Sequence, residues 1–235
     1  MNNVSVFIHI YYPGSWQRIR EKCSALLDGA TNLIITCCYD EVMEEILSHP
    51  TAIVLKTSNK GKDIGGKLVG MAYYLNYCPR TAYVAFLHDK VSPQTINAGL
   101  WFDQLYSIFE EGALQNNEAL FRQKPSVGLI GAKAFLINEW VPEAGIFKTT
   151  NDTILWKLIA QYDLSSKTYN YIGGTMFLAR SEPFVRFFSR HSPLDIRSGL
   201  EKGNVLDLEH GTVTHSWERL LCFIVQSQGY TVAGA

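Results

Sequence analysis

The sequence lacks any marked excess of charge of one sign. Its 235 residues contain 21 lysines and arginines against 22 aspartates and glutamates, which gives a formal net charge of −1 at pH 7. Without surplus positive charge, the chain as a whole has no electrostatic attraction to nucleic acid or to an anionic membrane. We therefore expect no nucleic-acid partner, and any binding of phosphate must come from a local site.

Long apolar runs and a leader-like N-terminus are also missing. No stretch approaches the roughly 20 apolar residues that span a bilayer, and the start lacks a basic region followed by an apolar run and a cleavage site. These features predict no transmembrane segment and a cytoplasmic location, where any work at the inner membrane face would depend on other domains. Residues 230–235 read as a strand cut short, which suggests one domain of a longer protein.

The chain has few cysteines, and their spacing excludes the usual cysteine-based sites. Their number is odd and no pair has Cys-x-x-Cys spacing, so neither a disulfide framework nor a zinc site is supported. Most of them stand in apolar runs, as buried reduced thiols do. We interpret as structural the five residues Cys23, Cys37, Cys38, Cys78 and Cys222.

What is present is a core-forming composition, 47% hydrophobic, with short apolar runs that alternate with amphipathic segments. In the first half, we predict strands over 4–12, 32–38, 52–56 and 82–87 and helices over 15–27, 40–47 and 67–75, with Asp40 as an N-cap. This alternation predicts an α/β fold of Rossmann type, with a mainly parallel sheet and helices on both faces. Further on, we predict helices over 101–109, 153–162 and 213–226, the last capped by Gly229, and strands at 127–130 and within 171–180. With no internal repeat or linker, residues 1–235 are expected to form a single domain.

A glycine-rich polar segment, Asn59-Lys-Gly61-Lys-Asp63-Ile-Gly65, follows the third strand. Small residues at a strand-to-helix junction let the backbone approach a ligand and expose amide donors, which suits a phosphate. Asp63 could cap the helix or hold a hydroxyl group or a metal. Such glycines are equally typical of a simple chain reversal. Positive charge near the segment comes from Lys56, Lys60, Lys62 and Lys67.

Other polar residues follow the first and fourth strands. Tyr11 and Tyr12 follow the first, while His88, Asp89 and Lys90 follow the fourth and offer a proton carrier, a metal or hydroxyl ligand and a cation. Ligands of parallel sheets bind at the carboxyl ends of the strands, so we expect these residues to share one edge with the segment at 59–65. The alternative is a polar strand exit without function.

Two later segments add further candidates. Gly173-Gly174-Thr175-Met176 could bring the backbone close to a sugar, or could begin a buried strand at a glycine bulge.

His215 and Glu218 are three residues apart and share one face of the predicted helix. A carboxylate there could remove a proton from an attacking sugar hydroxyl. The alternatives are a surface face at Glu218 and Arg219 or an internal salt bridge.

Taken in order, these segments resemble the rhamnan synthesis protein F family, whose domains carry Asn-x-Gly-x-Asp-Ile-Gly, His-x-Lys-x-Ser, Gly-x-Met-Phe and His-x-x-Glu-Arg segments. All four are present, at 59–65, 88–92, 174–177 and 215–219, and 8–13 looks like the family's first strand. More distantly, the layout is similar to the GT-A glycosyltransferases. In that comparison 88–90 takes the Asp-x-Asp place and Glu218 the place of the catalytic base.

The resemblance implies transfer of a sugar, with L-rhamnose the first to test, from a nucleoside diphosphate donor to a glycan hydroxyl in polysaccharide synthesis, with inversion. It implies a nucleotide-binding half at 1–100 and an acceptor and catalytic half at 101–235. The donor contacts would be Tyr11, Tyr12, Asn59, Gly61, Asp63, Gly65, His88 and Lys90. The catalytic residues would be Glu218, His215 and Asp89, and the acceptor contacts Gly174, Thr175 and Met176.

The sequence departs from the GT-A pattern in having a single carboxylate in 88–90. Asp89 could hold Mg²⁺ or Mn²⁺ together with donor phosphates, but we favour neutralisation of the diphosphate by lysines without a metal. Two alternatives remain open: a non-catalytic domain that binds nucleotide sugars or glycans, and a retaining enzyme. A methyltransferase or dehydrogenase is disfavoured, because Tyr-Tyr-Pro-Gly-Ser stands where Gly-x-Gly-x-x-Gly would be expected.

Overall fold

The computed structural model describes residues 3–89, 98–207 and 209–235. Strands and helices alternate in the first part, as β1 (Val4–Ile10), α1 (Ser15–Asp28), β2 (Asn32–Cys37), α2 (Asp40–Leu47), β3 (Ala52–Lys56), α3 (Lys62–Tyr77) and β4 (Tyr83–His88). The next elements are α4 (Ala98–Tyr106), a 3₁₀ turn (Ser107–Phe109), α5 (Glu111–Gln123), β5 (Val127–Gly131), a 3₁₀ turn (Lys133–Phe135), β6 (Leu136–Asn138), β7 (Trp140–Val141) and β8 (Ile146–Phe147). The chain then forms α6 (Asp152–Tyr162), β9 (Asn170–Ile172), β10 (Phe177–Arg180), α7 (Ser181–Phe188), α8 (Pro193–Ser198), α9 (Val213–Gln226) and β11 (Thr231–Gly234).

Seven of these strands form one central sheet in the order β11-β5-β10-β4-β1-β2-β3. The pairs β1–β2, β1–β4, β2–β3 and β5–β11 are parallel, whereas β10 is antiparallel to both of its neighbours. Every residue of β1 and β2 is buried. Since successive side chains of a strand point to opposite faces, this burial means that both faces of the sheet are covered there. The predicted α/β class with a mainly parallel sheet is confirmed.

Helix α3 begins five residues earlier than predicted. The expected start near Lys67 is wrong, because α3 starts at Lys62 and its first turn includes Asp63 and Gly65. Gly61 precedes it in the left-handed conformation, with φ 77°. Such a conformation costs glycine little and redirects the chain from β3 into the helix.

The start of α3 resembled a loop in the sequence because it contains two adjacent glycines, Gly65 and Gly66. A Cβ atom at Gly66 would lie 2.2 Å from Nδ1 of His9, and one at Gly65 would lie 1.7 Å from the carbonyl oxygen of Lys60. Both positions therefore need glycine because α3 packs closely on β1 and on its own N-terminal segment. Close packing, rather than chain reversal, accounts for these two residues.

Several other boundaries differ from the predictions. Tyr39, not Asp40, is the N-cap of α2, and Asp40 lies in the first turn, where a negative charge suits the helix dipole. The run 171–180 divides into β9, which pairs with β6, and β10, which joins the central sheet. Helices α5, α7 and α8 were not predicted; α5 buries only a narrow stripe, Leu114, Asn117 and Phe121.

Helix α9 matches its predicted bounds, 213–226, and is buried along most of its length. Eleven of its fourteen residues are buried. Its C-cap is Ser227, while Gly229 follows with φ 85°. Because α9 packs against β9, β5, α6 and α7, its N-terminal turn is held at a fixed position beside α3.

Three of the five cysteines are buried, in agreement with the prediction that most of them are buried thiols. All five are free, and Cys23, Cys37 and Cys222 are buried. Burial raises the pKa of the Cys23 and Cys222 thiols to about 12, so both remain protonated and unreactive at neutral pH. Among the described residues, no helix combines the length and the apolar character that a membrane crossing requires.

Candidate functional site

A pocket of about 140 Å³ brings together residues from all four sequence segments. It lies between the end of β4, the first turn of α3, the turn that joins β9 to β10 and the first turns of α9. Its walls are formed by Lys62, Asp63, Ile64, His88, Gly174, Thr175, Thr214, His215 and Glu218. Residues that are more than 100 positions apart, such as Asp63 and Thr175, are in direct contact here. The predicted proximity of these segments is therefore present in the fold.

We call pocket floor the three lining residues Asp63, His88 and Thr175 together with the buried Lys67 that contacts them. The side chain of Lys67 is only 1% exposed, and its Nζ lies 2.9 Å from Oδ2 of Asp63. The same Nζ donates to the carbonyl oxygen of Thr175 at 2.9 Å and to its Oγ1 at 2.7 Å, and lies 3.1 Å from Nδ1 of His88. One buried ammonium group therefore links α3, β4 and the β9–β10 turn.

Asp63 is held in its anionic form by this arrangement. Burial by itself would raise the pKa of the carboxyl, but the charges of Lys67 and His88 and the hydrogen bonds from Thr175 and Lys67 hold the pKa of Asp63 well below its usual range. The hydroxyl of Thr175 donates to Oδ2 at 2.6 Å. Asp63 is thus a fixed negative charge that balances Lys67.

The backbone of the β9–β10 turn is in an unfavourable conformation at Thr175. Gly174 has φ 83° and Thr175 has φ 50°, so two successive residues are left-handed. For a β-branched residue this conformation is unusual and costs on the order of 1–3 kcal/mol. Hydrogen bonds of Thr175 with Lys67 and Asp63 hold this backbone conformation in place. The polar side chains of the floor therefore have a structural role.

The sequence did not indicate the central role of Lys67 in the pocket floor. Lys67 was counted only as one of several positive charges near the glycine-rich segment, yet it contacts all three other residues of the floor. Its i, i+4 spacing from Asp63 would have indicated the pair once the true start of α3 was known. Lys56, by contrast, lies at the surface and pairs with Asp40 at 2.5 Å.

On the α9 side, His215 lies in a polar and half-buried environment. Its Nδ1 is 2.6 Å from Oγ1 of Thr212, and its Nε2 is 3.5 Å from Nζ of Lys62. Burial, followed by the nearby charge of Lys62, lowers the pKa of His215 below its ordinary value. The imidazole is therefore neutral at neutral pH, and it stands next to a cation.

The N-terminal amides of α9 are already used within the protein. Glu201 accepts hydrogen bonds from the amides of Val213 at 2.7 Å and Thr214 at 2.9 Å, while Oγ1 of Thr212 accepts from the amide of His215 at 3.0 Å. Hydrogen bonds to Thr214 and Val213 outweigh burial and lower the pKa of Glu201. The charge at this helix N-terminus is thus balanced by Glu201 itself.

Glu218 lines the pocket with a partly exposed carboxylate. Its Oε1 accepts the amide N–H of Gly174 at 2.5 Å, and its Oε2 lies 3.6 Å from Nη1 of Arg219. Arg219 forms a two-pronged salt bridge with Glu139, at 2.7 and 2.8 Å, which the sequence did not indicate. The internal salt bridge considered for this segment therefore exists, but Arg219 makes it mainly with Glu139.

The segment at 59–61 pairs with another stretch of the chain rather than facing the pocket. The amide of Gly61 donates to the carbonyl of Glu201 at 2.8 Å, and the amide of Gly203 donates to Asn59 at 2.9 Å. The side chain of Asn59 bonds to Asn204 at 3.0 Å. The amide of Gly61 is therefore used within the fold, although the segment was expected to expose amide donors. Asn59, Gly61 and Gly65 are absent from the pocket walls.

The rim cluster consists of Tyr11, Tyr12 and Tyr39, at the ends of β1 and β2. The ring of Tyr11 lies 5.0 Å from that of Tyr12 and 5.2 Å from that of Tyr39, both in edge-on contact. The hydroxyl of Tyr39 donates to that of Tyr11 at 2.7 Å. Tyr39 was not among the predicted residues; its position just after a strand, like that of Tyr11, could have indicated it.

Asp89, which follows β4, is hydrogen-bonded to the backbone of the rim cluster. Its Oδ2 accepts the amides of Tyr11 at 2.9 Å and Tyr12 at 2.6 Å. Burial, which outweighs these hydrogen bonds, raises the pKa of Asp89 to about 6. In the described residues, no group of three or more His, Cys, Asp or Glu side chains is placed to hold a metal ion. A metal held by Asp89 together with donor phosphates stays a prediction.

Two further candidates do not line the pocket. Met176 is completely buried in the core next to the turn. Lys90, together with the rest of the segment at 90–92, lies outside the described residues.

In the comparison with known proteins, no protein-family model matches the chain, and no curated protein matches it either.

Proposed function

We propose that this chain is a glycosyltransferase domain that transfers a sugar from a nucleoside diphosphate donor to a hydroxyl of a glycan. One observation carries the proposal. The four segments whose order resembles the rhamnan synthesis protein F family supply walls of a single pocket at the carboxyl end of β4. The α/β fold with its mainly parallel sheet is compatible with a GT-A-like domain, and ligands of such sheets bind at this edge.

In this proposal, Glu218 is the base that takes the proton of the attacking hydroxyl. Its Oε1 accepts the amide N–H of Gly174, which orients the carboxylate towards the pocket that Glu218 lines. His215 is neutral and positions the neighbouring groups. Lys62, which lines the same pocket, would stabilise the negative charge of the departing diphosphate.

The donor's base would lie against the rim cluster. Tyrosine rings offer flat apolar faces with polar tips, which suit a nucleobase and ribose. Asp63 and His88 lie between the rim and Glu218 in this scheme, at the pocket floor. No step of the proposal passes through a metal ion.

The test is transfer activity with a panel of nucleotide sugars, beginning with L-rhamnose donors because of the family resemblance. Glu218→Gln keeps the size and the acceptor oxygen of the side chain but removes the base. We expect turnover to fall by about 10²–10⁴-fold in a protein whose circular dichroism is unchanged. Glu182→Gln is the matched control, because Glu182 lies on α7, where it pairs with Arg186, and should leave turnover unchanged.

Full transfer activity in folded Glu218→Gln would show that the base assignment is wrong. The anomeric configuration of the product, read by NMR, then separates an inverting from a retaining reaction. Retention would agree with a reaction that needs no base at Glu218.

A non-catalytic domain that binds nucleotide sugars or glycans is the second candidate. It is favoured by the internal engagement of groups that a transferase would use: Glu218 bonds to Gly174, Asp89 to the amides of Tyr11 and Tyr12, and Gly61 to Glu201. Calorimetric titration with the same panel separates the two, because binding without turnover supports the second candidate. Binding of no nucleotide sugar would contradict the proposed transferase.

A further inference from the structure

The side chain of Arg197, on α8, lies at the carboxyl ends of β2 and β3. Its Nη2 donates to Oγ1 of Thr57 and to the carbonyl oxygen and Oγ of Ser58, each at 2.9 Å. Thr57 and Ser58 directly follow β3, and the charge of Arg197 acts on the thiol of Cys38, which directly follows β2. Helix α8 therefore brings a cation to the edge of the sheet that carries the rim cluster.

The guanidinium group of Arg197 lacks a counter-charge in the described part of the chain. It forms no ion pair with a carboxylate there, and burial lowers the pKa of Arg197, while the group that counteracts this effect is the thiol of Cys38. That thiol is neutral at pH 7, because burial raises its pKa. A partly buried charge is normally paired, since without a partner it loses hydration and gains nothing in return. The guanidinium group therefore suits an anion that comes from outside the chain.

The acidic side chains at this edge of the sheet already have other partners. Asp40 pairs with Lys56 at 2.5 Å, and Oδ2 of Asp63 pairs with Lys67 at 2.9 Å. The carboxylate of Asp89 accepts two backbone amides of the rim cluster. Each of these carboxylates is thus engaged away from α8.

The three nitrogens of the Arg197 guanidinium group differ in what they can bind. Nη2 is used by the loop after β3, and Nε is buried with no hydrogen-bond partner among the described residues. Nη1 makes no hydrogen bond to those residues either, but unlike Nε it is not buried, because the side chain is partly exposed. The bonds of Nη2 orient the planar group and leave Nη1 as the donor that a ligand can reach.

We infer that Arg197 is a binding residue for a phosphate group, which it contacts through Nη1 beside the rim cluster. Charge-assisted hydrogen bonds between a guanidinium group and phosphate oxygens are among the stronger polar contacts. The identification of the ligand as a nucleoside diphosphate, with its base on the rim cluster, rests on the proposed function, whereas the phosphate site itself does not. Arg197 was not among the predicted residues, because its partner Thr57 lies 140 positions away.

The test compares the wild type with Arg197→Gln by calorimetry, using inorganic pyrophosphate and the diphosphates of uridine, guanosine and thymidine as probes. Loss of one charge-assisted contact should weaken binding of every probe that the wild type binds by about ten- to hundredfold. Arg190→Gln is the matched control and should leave all affinities unchanged. Arg190 is exposed and likewise has no carboxylate partner within the described ranges.

Two further measurements separate a phosphate contact from mere support of the loop after β3. The affinity for the corresponding nucleosides, which lack phosphates, should be nearly the same in Arg197→Gln and the wild type, whereas a distorted loop would weaken nucleosides and diphosphates alike. The difference between the two proteins should also shrink as salt is added, because salt screens an ionic contact at a partly exposed site. A loss that is equal for nucleosides and diphosphates, or equal at every salt concentration, would overturn the inference.

Failure of the inference and failure of the proposed function give different results. If a nucleoside diphosphate binds the wild type and Arg197→Gln with equal affinity, the role of Arg197 is overturned and the proposed function stands. If pyrophosphate binds in an Arg197-dependent manner and no nucleoside diphosphate binds, the phosphate site is supported and the proposed transferase is contradicted. Binding of none of the probes would overturn both.

Discussion

The rim cluster and the pocket floor lie at the same end of the sheet, but they are built in opposite ways. The rim is made of partly exposed tyrosines that touch edge-on and share one bond between hydroxyls. The floor is a buried set of charges in which Lys67 and Asp63 each contact the three other residues. Exposed groups can exchange a lost partner for water, whereas buried polar groups cannot. The rim can therefore adapt to a ligand, and the floor must be complete before one arrives.

The largest expected effect comes from removing the central charge of the floor. Lys67→Met leaves the carboxylate of Asp63 and the carbonyl of Thr175 without their buried cation, so the free energy of unfolding should fall by about 3–5 kcal/mol. Urea denaturation followed by circular dichroism measures this loss. Lys56→Met is the control; its surface ion pair with Asp40 should contribute about 0–1 kcal/mol. Equal losses in the two variants would contradict the contrast between surface and floor.

The next effect is a pH dependence that arises beside the floor, at His9 on β1. Its Nδ1 is 2.9 Å from Oγ1 of Thr36, and Nε2 has no hydrogen-bond partner among the described residues. Burial lowers the pKa of His9 from 6.5 to about 4. The unfolded chain therefore binds a proton below pH 6.5 that the folded protein takes up only near pH 4. Stability should fall as the pH falls between these values, by about 2–3 kcal/mol.

His9→Phe removes this titration and should flatten that part of the stability curve. Urea denaturation of both proteins from pH 4 to pH 8 gives the comparison, since all other titrating groups are shared. Parallel curves for the wild type and the variant would exclude His9 as the source.

A smaller effect is expected at Asp89, which joins the two regions. Asp89→Ala deprives the amides of Tyr11 and Tyr12 of their acceptor and should cost about 1–3 kcal/mol. Asp89→Asn keeps an acceptor oxygen and removes a buried charge. Because the pKa of Asp89 is raised from 3.8 to about 6, the wild type should lose stability relative to Asp89→Asn as the pH rises from 4 to 7. If the wild type instead gained stability relative to Asp89→Asn as the pH rises, ionisation of Asp89 would stabilise the folded protein, which contradicts the raised pKa.

The smallest effect on stability is expected in the rim. Tyr39 is 45% exposed, so Tyr39→Phe should leave the urea midpoint unchanged within error. Under the proposed function, Tyr39→Ala should nevertheless weaken binding of a nucleoside diphosphate, measured by calorimetry, while Tyr39→Phe retains it. A large loss of stability in Tyr39→Phe would mean that the rim is as rigidly built as the floor.

Some of this organisation was readable from local patterns. The buried strands β1 and β2 are mainly apolar, and the predicted bounds of α9, 213–226, were correct. The polar residues after the strands were correctly assigned to one edge, because parallel strands bring their carboxyl ends together. Helix α5 was missed because its buried stripe is narrow and its composition is polar.

The sequence by itself determined the class of the fold, since the alternation of apolar strands with amphipathic helices leaves few other arrangements. It also identified the segments that meet in the pocket. Only the tertiary structure decided what individual residues do there. Gly66 is required by contact with His9, the amide of Gly61 is taken by Glu201, and Lys67 is buried by a turn more than 100 residues away. Such roles depend on partners that are distant in the chain, and local patterns carry no information about a distant partner.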